Sequence, residues 1–172
     1  MTHNSNRTSE LDFIRVPLSR TLDYGRSLVK DIDPDRFTEQ PHPTMNHPAF
    51  CIGHLSLYPA RAAAVVGMPD RITNPDSFEP LFKAGVACEP DRGQYPAKGE
   101  LVDHYVASHE TMLSLLDDVP LSALGEPNPL GGRLAEMFPT VGIALNFLLN
   151  NHHMVHLGQI SAWRRAAGLP AA

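Results

Sequence analysis

From about Thr140 to Ala167 the chain carries an apolar repeat at helical spacing, free of proline and closed by Gly168 with Leu169-Pro170 beyond. A stripe of that length reads as one long helix stopping at a glycine, and it demands other elements to cover it. Within it, in the stretch Asn150 to Arg165, His152 and His156 stand four residues apart. That spacing sets them one above the other on a single helix face, in a stripe continued by Leu145, Leu149, Ile160 and Trp163. Imidazoles projecting among apolar side chains need hydrogen-bond partners or a shared cation, because an unpaired buried polar group is costly. A divalent metal satisfies both rings at once, and neutral imidazole is a common metal ligand. The commoner reading of such a pair is two solvated or individually hydrogen-bonded side chains. The zincin motif does not apply: it needs Glu directly after the first His, and here His153 follows. A third ligand has to come from another segment.

Three further segments repeat at helical spacing. Leu11, Ile14, Leu18, Leu22, Gly25, Val29 and Ile32 form the first, which Asp33-Pro34 ends and Pro17 is expected to kink or restart. The second opens at Pro48, a residue suited to a first helical position, and stops at Gly67. Pro59 inside it predicts a bend just after His54. The third runs from Ala97 through Leu101, Tyr105, Ser108, Met112 and Leu115 to Val119. Residues 68 to 96 and 120 to 139 read as irregular connections, the first with a short turn around Phe78 to Lys83. With no alternating strand pattern, the expectation is an all-α four-helix bundle with long connections. Residues 1–10 are expected to form a flexible tail and residues 11–172 a single domain.

Bundles of this kind build metal sites from side chains on facing helices. His54 is the leading third ligand, mid-helix on an apolar face and next to the small Gly53; a core histidine bonded to a backbone carbonyl fits the same position. Cys51, three residues earlier, is a weaker candidate, because buried free cysteine usually behaves as a small hydrophobe. His109 borders an apolar stripe, whereas His104 has Glu100 and Asp103 for neighbours and reads as solvated. His153 points a quarter turn from His152, and His3, His42 and His47 read as surface loop residues. Asp117 and Asp118 are adjacent, face different directions and form no dyad. No phosphate-binding glycine loop, nucleophile elbow or CxxC is present.

Composition narrows the function further. A net charge of -5 with a pI near 5.9 argues against nucleic acid, which needs a basic face. No apolar run approaches the roughly 20 residues of a membrane span. The N-terminus lacks a signal-peptide core, and two cysteines make no disulfide framework, so a reduced, cytoplasmic protein is expected.

The run HHMVHLGQISAWRRAAGLP resembles the C-terminal signature of the DinB/YfiT-like superfamily, a His-x-x-x-His pair followed by a small-residue-Gln step and an arginine. Here those positions are His152, His156, Gly158-Gln159 and Arg164 or Arg165. The segment CIGHLSLYPARA is similar to the family helix that supplies the first metal histidine, which places that role on His54. The resemblance implies an up-down-down-up bundle holding a divalent metal, often nickel or zinc, on His54, His152 and His156. It also implies frequent homodimers. Some members are S-transferases using bacillithiol, or isomerases using mycothiol or glutathione. Relatives often carry an acid where this chain has His153. Two functions follow as expectations. One is a metal-dependent enzyme, transferring a low-molecular-weight thiol to a small molecule or hydrolysing one, with Gln159 orienting a ligand. The other is a non-enzymatic, metal-stabilised dimerisation or stress-response module.

Overall fold

A computed structural model describes residues 10–172, so the expected N-terminal tail, like His3, lies outside the described residues except for Glu10. The fold is all-helical; among the described residues the sole β feature is an isolated bridge between Pro127 and Thr140. No helix is long and apolar enough to cross a membrane.

Helix α1 (Asp12–Lys30) buries one face through Ile14, Leu18, Leu22, Leu28 and Val29. Pro17 does not restart it, and the helix is continuous. The bond that Pro17 removes would have gone to the carbonyl of Phe13, and both residues lie on the exposed face, where water can take up the orphaned acceptor.

Helix α2 (Pro48–Ser56) is buried along its whole length. His47 caps it: its Nδ1 accepts the Phe50 N–H at 3.0 Å and its Nε2–H donates to the Glu89 carbonyl at 2.9 Å. This corrects the expected surface position of His47, which is fully buried. An imidazole with both nitrogens engaged serves here in place of the usual hydroxyl or carboxylate cap. The interruption that Pro59 imposes falls at Leu57, beyond His54, and α3 (Tyr58–Val65) continues from there.

The long connection after α3 is more ordered than its prolines suggest. It contains 3-10 turns at Pro69–Arg71 and Arg92–Gln94, and between them the short helix α4 (Phe78–Phe82), whose two phenylalanines are fully buried. Gly53 makes this possible: a Cβ there would collide with the Phe82 ring. Helix α5 (Lys98–Leu115) ends earlier than Val119. The second connection holds a 3-10 turn, Leu121–Gly125, and helix α6 (Gly132–Met137).

The C-terminal run is one continuous element with a defect. Helix α7 (Val141–Asn146) leads through a π-helical turn, Phe147–Asn151, into α8 (His152–Ala166). Helices α2 and α3 pack on α5, α1 packs on both α5 and α8, and α2 packs on α8. Arg164, 2 % exposed, pins the end of α8 to the end of α1 through Asp31 and the Leu28 carbonyl at 2.8 Å. Arg165 is exposed, so Arg164 is the arginine with the structural part.

Candidate metal centre

Three imidazoles meet where α2 packs on α8. His54 comes from α2, one turn ahead of the Leu57 interruption; His152 opens α8 directly after the π turn; His156 follows one turn later. The Nε2 atoms of His54 and His152 are 3.3 Å apart, and those of His156 and His152 are 3.1 Å apart. One ring nitrogen from each of the three lies within 4.8 Å of the others.

The outer nitrogens decide what this arrangement can bind. His54 Nδ1 lies 2.5 Å from the Phe82 carbonyl, an acceptor only, so Nδ1 carries the proton and Nε2 presents a lone pair. His156 Nδ1 is 3.1 Å from Gln159 Oε1, and this oxygen also receives the Asn46 amide at 3.1 Å and the Cys51 thiol at 3.5 Å. Three donors on one oxygen fix the amide orientation and put the proton of His156 on Nδ1 as well. Two bare lone pairs therefore face the Nε2 of His152. The proton on His152 can satisfy one of them at a time, whereas a cation satisfies all three nitrogens. His152 Nδ1 is buried without a partner. Nitrogens bound tetrahedrally at about 2.0–2.1 Å lie roughly 3.3–3.4 Å apart, close to the two spacings seen here.

Burial, followed for His152 by its two imidazole neighbours, drives these rings to their neutral form. His152 is lowered to about 3 and His156 to about 4, and His54 is also lowered, mainly by burial. Neutral imidazole is the ligating form. Tyr58 stacks on His152 with centroids 3.9 Å apart, Phe50 lies parallel to His54, and Arg61 sits over the Tyr58 ring with one terminal nitrogen donating to both carboxylate oxygens of Glu79. Among the described residues, the hydrogen-bond partners of the three rings are a carbonyl, a carboxamide and one another; none is a carboxylate.

The remaining candidates fall outside the cluster. Cys51 is fully buried and burial raises its thiol, so it stays protonated and donates to Gln159. His153 is the surprise. It occupies the buried stripe of α8 with Leu157 and Ile160, while His152 and His156 lie on the flank, half-buried. The Thr21 hydroxyl donates to the Leu18 carbonyl, so it accepts from His153 Nδ1 at 3.2 Å, and His153 Nε2 accepts the Tyr105 hydroxyl at 2.5 Å. His109, buried beside them, donates from Nδ1 to the Tyr105 carbonyl at 2.7 Å. His104 is half-buried against Phe78 and bonds Asn74 at 3.1 Å, correcting the solvated reading. Of the residues in the cluster's surround, Phe82 carried no signal in the sequence, because its part is played by a backbone carbonyl.

Fold and cluster together define an all-helical protein with a three-imidazole cluster on facing helices. The family model of the DinB superfamily matches residues 18–160, and the chain belongs to that superfamily. Neither the curated proteins nor the solved structures give a significant match.

Proposed function

We propose that His54, His152 and His156 hold a single divalent ion, zinc or nickel, and that the site carries out chemistry on a small molecule with a low-molecular-weight thiol as cosubstrate. The observation that carries this is the pair of locked tautomers: the Phe82 carbonyl and Gln159 hold protons on the outer nitrogens and leave proton-free Nε2 atoms converging within 4.8 Å. Three neutral nitrogen donors suit a borderline ion and leave coordination positions open. When bound, such an ion acts as a Lewis acid and lowers the pKa of a thiol it takes up.

The chain's own residues favour transfer from a thiol over hydrolysis. Water as nucleophile asks for a general base, and the ring partners include no carboxylate. The position after His152, where relatives often carry an acid, is given to His153, whose two nitrogens are committed to Thr21 and Tyr105. A thiol brings its own nucleophile once deprotonated. Tyr58, Phe50 and Phe147 form an apolar surround that limits water at the rings.

The bundle topology belongs to the same reading. Contacts pair 21 with 153 and 28 with 164 along α1 and α8, and 54 with 152 and 46 with 159 along α2 and α8. Those between α1 and α5 pair 15 with 113 and 32 with 98. These registers support the order up, down, down, up.

The test measures metal content and thiol-dependent turnover together. Wild-type protein is expected to contain about one equivalent of metal per chain and to consume an electrophile only with a thiol present, and His54→Ala to lose both. Absence of metal from the wild type, or its retention by the variant, overturns the ligand assignment. Metal without any thiol effect overturns the transfer reading.

A further inference from the structure

A pocket of about 260 Å³ lies beside the three histidines, one helical turn further along α8. Gln159 and Ala162, on the turns that follow His156, form one wall, and His42, Thr44, Met45 and Asn46, ahead of α2, form the other. That second wall is held by hydrogen bonds of its own. The Met45 N–H donates to the His42 carbonyl at 2.9 Å, the Thr44 N–H to His42 Nδ1 at 3.3 Å, and the Gln40 amide to the Met45 carbonyl at 3.1 Å. The pocket is therefore formed before a ligand arrives, which lowers the ordering cost of binding.

Its two carboxamides are only half used. Asn46 Nδ2 donates to Gln159 Oε1, which also receives His156 and Cys51, so the orientation of both groups is fixed. The remaining amide atoms, the Gln159 Nε2 donor and the Asn46 Oδ1 acceptor, have no hydrogen-bond partner among the described residues and are not sealed from solvent. Each shares a carbon with an atom of the Asn46–Gln159 bond, so donor and acceptor stand near one another at set positions. A secondary amide, with its carbonyl and N–H on adjacent atoms, is the complement of such a pair. Among the described residues no Asp, Glu, Lys or Arg lines the pocket, so nothing there compensates a full charge. A carboxylate would set a second acceptor against Asn46 Oδ1, and an ammonium a second donor against Gln159 Nε2. Met45 and Ala162 offer apolar contact to the alkyl groups that flank an amide.

We infer that this pocket binds a small, uncharged, peptide-like molecule through one secondary amide. The ligand carbonyl accepts from Gln159 Nε2, its N–H donates to Asn46 Oδ1, and its alkyl groups lie against Met45 and Ala162. Because the same Gln159 orients His156, occupation of the pocket is felt at that ring. The inference does not need an ion at the histidines, since the polar pair belongs to the chain itself.

N-acetylalanine methylamide is the probe, followed by amide chemical shifts on the full chain. Saturable binding at one per chain is expected, with shifts at Met45, Asn46, Gln159 and Ala162. The diester analogue, in which oxygen replaces both N–H groups, keeps the shape and the carbonyls but cannot donate to Asn46, and should bind roughly tenfold more weakly. Added salt should leave the affinity unchanged, because no ion pair forms. Gln159→Glu keeps the oxygen that His156, Asn46 and Cys51 share but turns the free donor into an acceptor, and should lower affinity roughly tenfold. Ala162→Leu fills the pocket without touching the polar pair, and should abolish binding with helical content unchanged. Absence of saturable binding overturns the inference. So does equal affinity for the diester, binding that salt weakens, or binding that both substitutions leave intact.

Discussion

Gln159 concentrates the logic of the site in one atom. Its Oε1 accepts from His156, Asn46 and Cys51, so it sets which nitrogen of His156 points inward. Replacing it with leucine frees the His156 tautomer and leaves the buried Cys51 thiol and the half-buried Asn46 amide without this acceptor. Gln159→Leu should weaken metal binding by roughly 10–100-fold, the range typical of partners behind a ligating histidine. Chelator competition reads this directly; an affinity equal to wild type would remove Gln159 from the site. The residue scale also revises an expectation about acid. A free imidazole titrates near 6.5, which from sequence alone predicts metal release below roughly pH 6. Burial lowers His152 to about 3 and His156 to about 4, so on the proposed metal reading release is expected only in more acidic solution.

At the scale of elements, sequence and structure part at the C-terminal helix. That His54, His152 and His156 lie together was legible because spacing, apolar context and the family signature agree. The face they occupy was not. A stripe drawn at ideal periodicity through Leu145, Leu149, Ile160 and Trp163 enrolled His152 and His156, but the π turn at Phe147–Asn151 changes the register, and His153 takes the core position. A single wide turn leaves no trace in periodicity, and such turns are frequent at functional sites. The helical class, the long helices and the glycine stop were legible for the opposite reason: each repeats a local rule over many residues. Helix α4 was read only as a turn, yet its last residue supplies the carbonyl that orients His54. Gly53 couples the two elements. In Gly53→Ala the added methyl meets the Phe82 ring, itself fully buried and packed against Phe50, Phe78 and Tyr95. Overpacking of this kind costs about 1–3 kcal/mol, visible in urea unfolding, and should weaken metal binding as the Phe82 carbonyl shifts. A variant as stable and as metal-replete as wild type would show that α4 yields freely.

For the molecule as a whole, the unusual load is the number of neutral histidines it buries, and this ties folding to pH. His109 isolates the effect because it lies outside the three-histidine cluster, 1 % exposed, donating from Nδ1 to the Tyr105 carbonyl, with the His153 ring 4.7 Å away. Burial lowers it from 6.5 to about 4, with the Tyr105 carbonyl opposing and His104 adding to the shift. The folded state therefore holds this ring neutral, while the unfolded chain takes up a proton as soon as pH falls through 6.5. Between those two values the unfolded state binds more protons, so stability rises with pH there. The contribution is complete above the unfolded value and drains away as pH drops toward about 4, by which point the loss amounts to roughly 3 kcal/mol. His153, which accepts from Tyr105 and is lowered for the same reason, places the same demand on the same core. Asp31 works in a lower window: the Arg164 hydrogen bond lowers it to about 2, so its contribution is lost only as pH falls from about 4 toward 2. Urea unfolding of wild type and His109→Leu at several values between pH 7 and pH 4.5 separates these effects. Wild type should lose stability steeply across that interval, and the variant should lose it less steeply by the share of one histidine. Parallel curves for the two proteins would mean that His109 takes up its proton inside the folded core, and that the pH dependence of this molecule is set elsewhere.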